Sequence, residues 1–113
     1  MHELGIAHEI LDIAIAEAGR HQARKVTEIR LRVGVLRAIE PEHLTFMFRH
    51  IAHETPADGA TLSIEEIPVR VECASCGFIE SRSFTYECPK CKGPALSLQG
   101  GDTLEIVSLD VEV

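Results

Sequence analysis

The sequence predicts an α+β fold: two helices packed on a three-stranded mixed β-sheet, with a four-cysteine module inserted into it. Three observations predict it. Two segments repeat apolar residues at the helical period, and three others alternate at the strand period. Four cysteines stand as two Cys-x-x-Cys pairs between the second and third of those strands.

The first helix is expected over residues 4–20. Leu4, Ala7, Leu11, Ala14 and Ala18 recur at steps of three and four, with Ile10 and Ile15 widening the stripe. Gly19 and Arg20 suit its end. Val26 to Val35 then alternates, with Thr27, Ile29, Leu31, Val33 and Val35 on one side and Glu28, Arg30, Arg32 and Gly34 on the other. That is the pattern of a half-buried strand. Pro41 fits the first turn of a second helix, beside the carboxylates of Glu40 and Glu42. Leu44, Met47, Phe48, Ile51 and Ala52 form its apolar face, and Thr55-Pro56-Ala57-Asp58-Gly59 stops it.

Thr61 to Val71 reads as one less regular strand. Leu62 and Ile64 share one parity, whereas Ile67, Val69 and Val71 share the other, so a bulge is expected at Glu65-Glu66. Pro68 puts this stretch near an edge or a strand end. The last strand is Thr103 to Val113. A strand–helix–strand unit favours a right-handed crossover and a parallel pair. Neither helix can bury its stripe alone, which gives a two-layer packing on one sheet face. The expected division is a discontinuous α+β domain, 1–68 plus 102–113, and an inserted module, 69–101.

Cys73, Cys76, Cys88 and Cys91 form a C-x₂-C-x₁₁-C-x₂-C pattern. The amino terminus has no basic segment before an apolar one, and no apolar run is long enough to span a membrane, so a cytoplasmic location is expected. Disulfides do not persist there, and paired dyads read as a metal site. Each knuckle places two thiolates on one tight turn, and glycine after the second cysteine allows the positive φ that such a turn wants. Four sulfurs close a tetrahedral site that suits zinc, with an iron or iron–sulfur centre as the rival. A thioredoxin-type dithiol would need a single dyad at a helix start in a strand–helix–strand unit. Four cysteines leave no open position for substrate, so the site is structural rather than catalytic. The apolar set Val69, Val71, Phe78, Ile79, Phe84 and Tyr86 is too small for a core, so metal binding is expected to fold the module.

Met1-His2-Glu3 is the second chemical feature. A free α-amine, the amide nitrogen of His2 and its imidazole form fused chelate rings. Such a set suits square-planar Ni(II) or Cu(II) and suits zinc poorly. His43, His50 and His53 lie along one flank of the second helix and read as solvated.

The start Met1-His2-Glu3-Leu4, together with the two cysteine knuckles and Pro41-Glu42-x-Leu44-x-Phe46, resembles the HypA/HybF family of nickel-insertion accessory proteins in [NiFe]-hydrogenase maturation. The resemblance runs from end to end. It implies a small cytoplasmic nickel metallochaperone, not an enzyme, holding structural Zn(II) and transient Ni(II). It implies as partners a HypB-type GTPase, the hydrogenase large-subunit precursor and, for some members, the urease system. By the same resemblance His2 is the nickel ligand, the Met1 amine and nearby backbone amides complete the plane, and Glu3 matches a position implicated in binding. Glu40 falls where some members carry an aspartate.

The rival is a zinc-ribbon module for nucleic acid or protein. In residues 69–93, Arg70, Arg82, Lys90 and Lys92 face Glu72, Glu80 and Glu87, which is no basic stripe. The net charge of −7 also opposes a phosphate backbone. No nucleophile–base motif or phosphate loop supports an enzyme.

Overall fold

The computed structural model describes residues 3–83 and 86–113. Met1, His2 and Phe84, all singled out above, lie outside the described residues.

Helix α1 spans Glu3–Arg20 and helix α2 spans Pro41–Ala52. The strands are β1 (Lys25–Gly34), β2 (Thr61–Ile67), β3 (Val69–Cys73), β4 (Gly77–Ser81), β5 (Ser97–Gly100) and β6 (Leu104–Glu112). They form two three-stranded sheets, ordered β2-β1-β6 and β4-β3-β5. The chain divides into two compact units. One comprises 1–31, 39–65 and 105–113; the other comprises 32–38 and 66–104.

In the first unit α1 and α2 pack on each other. The buried stripe of α1 is Glu3, Ala7, Ile10, Leu11, Ala14 and Ala18. Its first position is thus a carboxylate. Leu4, expected there, is 48% exposed. Glu3 and Ala7 are four residues apart and share a helix face, and Leu4 is rotated off it. Leu44, Phe48 and Ala52 are the buried face of α2, and Val26, Ile29 and Leu31 come from β1. The successive partners Arg24–Glu112 and Thr27–Asp110 run β1 and β6 antiparallel. Arg30, between the buried Ile29 and Leu31, makes a forked pair with Asp110, at 3.1 and 2.8 Å. That pair raises the Arg30 pKa and lowers that of Asp110.

The expected single strand from 61 to 71 is corrected. It is two strands, β2 and β3, in different sheets, separated at Pro68. Pro68 has no N–H to donate to a ladder. The switch of parity read as a bulge is the signature of a chain leaving one sheet for another.

The second unit has a sheet that the cysteine spacing did not announce. β3 pairs antiparallel with β4, from Val69↔Ser81 to Cys73↔Gly77, and with β5, from Val69↔Gly100 to Glu72↔Ser97. Val69 and Val71 are fully buried, so the module has a small apolar centre after all. Leu36 reaches it from outside the expected module. A Cβ on Gly101 would come within 2.8 Å of Leu36 Cγ and 3.2 Å of Val69 Cβ. Gly34 and Gly101 also meet backbone to backbone: a Cβ on Gly34 would collide with the Gly101 carbonyl.

Candidate metal centre

The β3–β4 hairpin builds the first knuckle. Cys73 ends β3, Cys76 sits in the turn, and Gly77 opens β4 with φ +77°. The second knuckle closes on itself. The Cys88 N–H donates to the Gly93 carbonyl at 2.7 Å, and the Lys92 N–H donates to the Cys88 carbonyl at 2.9 Å. A further rung, Glu87↔Pro94, lies just outside it. Here the residue after the second cysteine is Lys92, and it carries the positive φ, +67°. Gly93 serves differently: its N–H donates to Cys91 Sγ at 3.4 Å, and a Cβ there would stand 3.3 Å from that sulfur.

The two knuckles converge. All four sulfurs lie within 4.8 Å of one another, and Cys73 Sγ and Cys91 Sγ are 3.5 Å apart. A tetrahedral ion with bonds of about 2.3 Å to sulfur sets its ligands about 3.8 Å apart, so the group has the dimensions of a four-thiolate metal site. Cys73 and Cys88 are buried, Cys76 is half-buried and Cys91 is exposed.

The electrostatics divide the thiols. The Lys90 and Cys91 N–H groups point at Cys88 Sγ, at 3.4 and 3.5 Å. The Cys91 N–H above all holds the Cys88 thiol down at about 6, against the burial that pushes it up. The N–H groups of Cys76 and Ser75 lower the Cys73 thiol in the same way. Cys76 takes the opposite course: the neighbouring Cys91 thiol and then burial push it up to about 12. Two sulfurs are thus prepared as thiolates, and a cation is what would draw the proton from a third.

The second candidate group is split by what the structure describes. Met1 and His2 lie outside it, but Glu3 and Glu40 do not. Glu3 is the one buried charged residue among the described residues, 3% exposed. Its Oε2 accepts the backbone N–H of Glu40 at 3.4 Å, and its Oε1 lies 3.7 Å from His43 Nδ1. The Glu40 side chain is exposed and makes no capping hydrogen bond on α2. His43 was read from sequence as a solvated residue. Its side chain is 49% exposed, yet it faces the buried carboxylate. The signal available in the sequence was its place at the third position of α2, one turn from Glu40.

Residues 1–111 match the family model described as hydrogenase/urease nickel incorporation, metallochaperone, hypA. The chain is 40% identical over 113 residues to the hydrogenase maturation factor HypA of Chlorobium limicola, covering 99% of this chain and 97% of that protein. It is 38% identical to the HypA of a Picosynechococcus species, covering 98% and 99% of the two chains. The solution structure of the nickel metallochaperone HypA from Helicobacter pylori shares the fold, with a TM-score of 0.67 at 20% identity over 99% and 98% of the chains. With the predicted layers found and the four sulfurs gathered, the match over nearly the whole length settles the family: the chain belongs to the HypA family of nickel-incorporation metallochaperones.

Proposed function

We propose that this protein takes up Ni(II) at Met1-His2-Glu3 and hands it on during [NiFe]-hydrogenase maturation, while Zn(II) on Cys73, Cys76, Cys88 and Cys91 holds the second unit folded. The Met1 amine, the His2 amide nitrogen and the His2 imidazole are the chelate, with Glu3 and Glu40 at its edge. The helix-bearing unit carries nickel and the cysteine unit carries zinc. The protein is a carrier rather than an enzyme and works in the cytoplasm. Its partners are a HypB-type GTPase, the hydrogenase large-subunit precursor and the urease accessory system.

The observation that carries this reading is the meeting of Glu3 with the N–H of Glu40, thirty-seven residues apart, directly beside the chelating dipeptide. A cation at the start of α1 would face the positive end of a helix dipole, and a buried carboxylate there offsets part of that cost. The closed thiolate set suits a resident ion, and a chelate of three donors, which leaves a coordination position open, suits one in transit.

The test is a nickel titration of the untagged protein against His2→Ala, with zinc measured in both. His2→Ala should lose nickel binding and keep its zinc. One residue added before Met1 removes the α-amine from the chelate and should abolish binding too. Nickel affinity and spectrum unchanged in that extended protein would refute the chelate.

A further inference from the structure

The structure points to a role for the Glu3 side chain that its place beside the chelate does not reveal: we propose that this carboxylate is a positioning residue, clamping the first turn of α1 to the start of α2, and not a nickel ligand. The inference rests on the nickel reading above and specifies how the site is held.

Three observations carry it. First, Glu3 occupies the opening position of the buried stripe of α1, where its neighbour Leu4 is half exposed. A charged side chain in an otherwise apolar stripe needs partners that it cannot find in water. Second, one of its oxygens is already engaged by the Glu40 N–H, and the other faces His43. Third, α2 has no side-chain cap of its own. Glu40 holds the N-cap position in extended backbone without a capping bond, and Pro41 follows. The exposed N–H groups at a helix start call for an acceptor. Glu3 supplies it from the other helix.

The consequence for the terminus follows from chain order. Met1 and His2 adjoin Glu3 directly in the chain, so a fixed Glu3 fixes the point from which the chelate is presented. A free one leaves the first turn of α1 to be ordered when nickel binds, and that lost freedom opposes binding. The carboxylate thus acts on affinity without touching the ion.

The experiment uses the full chain with its native amino terminus, zinc loaded, titrated with Ni(II) alone. Affinity is read by calorimetry and the ligand set by the nickel ligand-field band. Glu3→Ala should weaken nickel about tenfold, because the first turn must then be ordered on binding, and leave the band in place. Glu3→Gln keeps an oxygen to accept the Glu40 N–H, so it should stay within about threefold of the wild type. A band shifted in Glu3→Gln would make the carboxylate a ligand and overturn the proposal. So would Glu3→Gln as weak as Glu3→Ala, or Glu3→Ala with wild-type affinity and only a lowered Tm. Wild-type binding and spectrum in His2→Ala would instead refute the chelate itself, which separates the two failures.

Discussion

The two units are held by different physics. The first buries aliphatic residues from two helices and a sheet around Phe48, with Ile10, Leu11, Ile29, Leu31 and Leu44. Among the described residues the second buries Val33, Val69 and Val71, and beyond them two of the four cysteines, Cys73 and Cys88. A unit with so few buried aliphatic side chains among its described residues gains little from apolar burial, and the four-sulfur site is the feature that can add to it. A structural zinc contributes on the order of 10 kcal/mol in small modules.

The largest expected effect tests that difference directly. Cys73→Ala removes a buried ligand and leaves three thiolates. Zinc should be lost, and residues 66–104 should open to proteolysis and to rapid hydrogen exchange. The helices of the first unit should keep their protection. Uniform loss of protection along the chain would mean that both units depend on the four-sulfur site.

Acid should separate them next. The Cys88 thiol is held at about 6, below the usual thiol value of about 8.5. A group depressed in the folded state adds stability that is complete above its unfolded pKa and is lost as pH falls through the folded one. For the metal-free second unit that window runs from about pH 8.5 down to 6, and a bound ion moves it lower. In the first unit the lowered groups are Glu3, at about 2, and Asp110, beside Arg30, whose contributions persist until pH falls below the ordinary carboxylate range. At about pH 5 with a competing chelator, hydrogen exchange should find the second unit open and the first closed. Simultaneous opening would count against the assignment.

The same contrast explains what could be read from sequence. The first unit was legible because its layers are written in periodicity: α1, α2 and β1 fall within a residue of their expected bounds. The cysteine site was legible because ligand spacing is chemistry rather than packing. The second sheet was not legible. β3, β4 and β5 are four or five residues each, too short to show a period, and β3 was read as the end of β2. The role of Leu36 against Gly101 and Val69 was hidden for another reason, since it is a contact between segments sixty-five residues apart. Glu3 was singled out for its neighbours in the chain. Its burial depends on α2, which the chain order does not disclose.

A smaller effect sharpens the comparison from the other side. Phe48 is 1% exposed in the middle of α2. Truncation of a buried phenylalanine costs about 3–5 kcal/mol, a large part of the stability of a domain this size. Phe48→Ala should therefore lower the Tm of the first unit steeply and leave the zinc content unchanged. Zinc lost in step with Phe48→Ala unfolding would show that the second unit leans on the core of the first.

The least effect is expected at the second knuckle. Both knuckles require a positive φ after their second cysteine. The first meets it with Gly77 at +77°, the second with Lys92 at +67°. Glycine enters that region freely, whereas a side chain with a Cβ does not, and the strain is about 1 kcal/mol. Lys92 is exposed, and its N–H, which closes the turn on the Cys88 carbonyl, is backbone that glycine keeps. Lys92→Gly should thus relieve strain in the folded knuckle, partly offset by the greater freedom of glycine in the unfolded chain. The net gain should be a few tenths of a kcal/mol to about 1 kcal/mol, read as a modestly slower release of zinc to a chelator. The mirror change, Gly77→Lys, should speed release by a comparable factor. If Lys92→Gly instead releases zinc faster, the lysine charge beside the thiolates outweighs the backbone strain, and the two knuckles differ in electrostatics rather than in conformation.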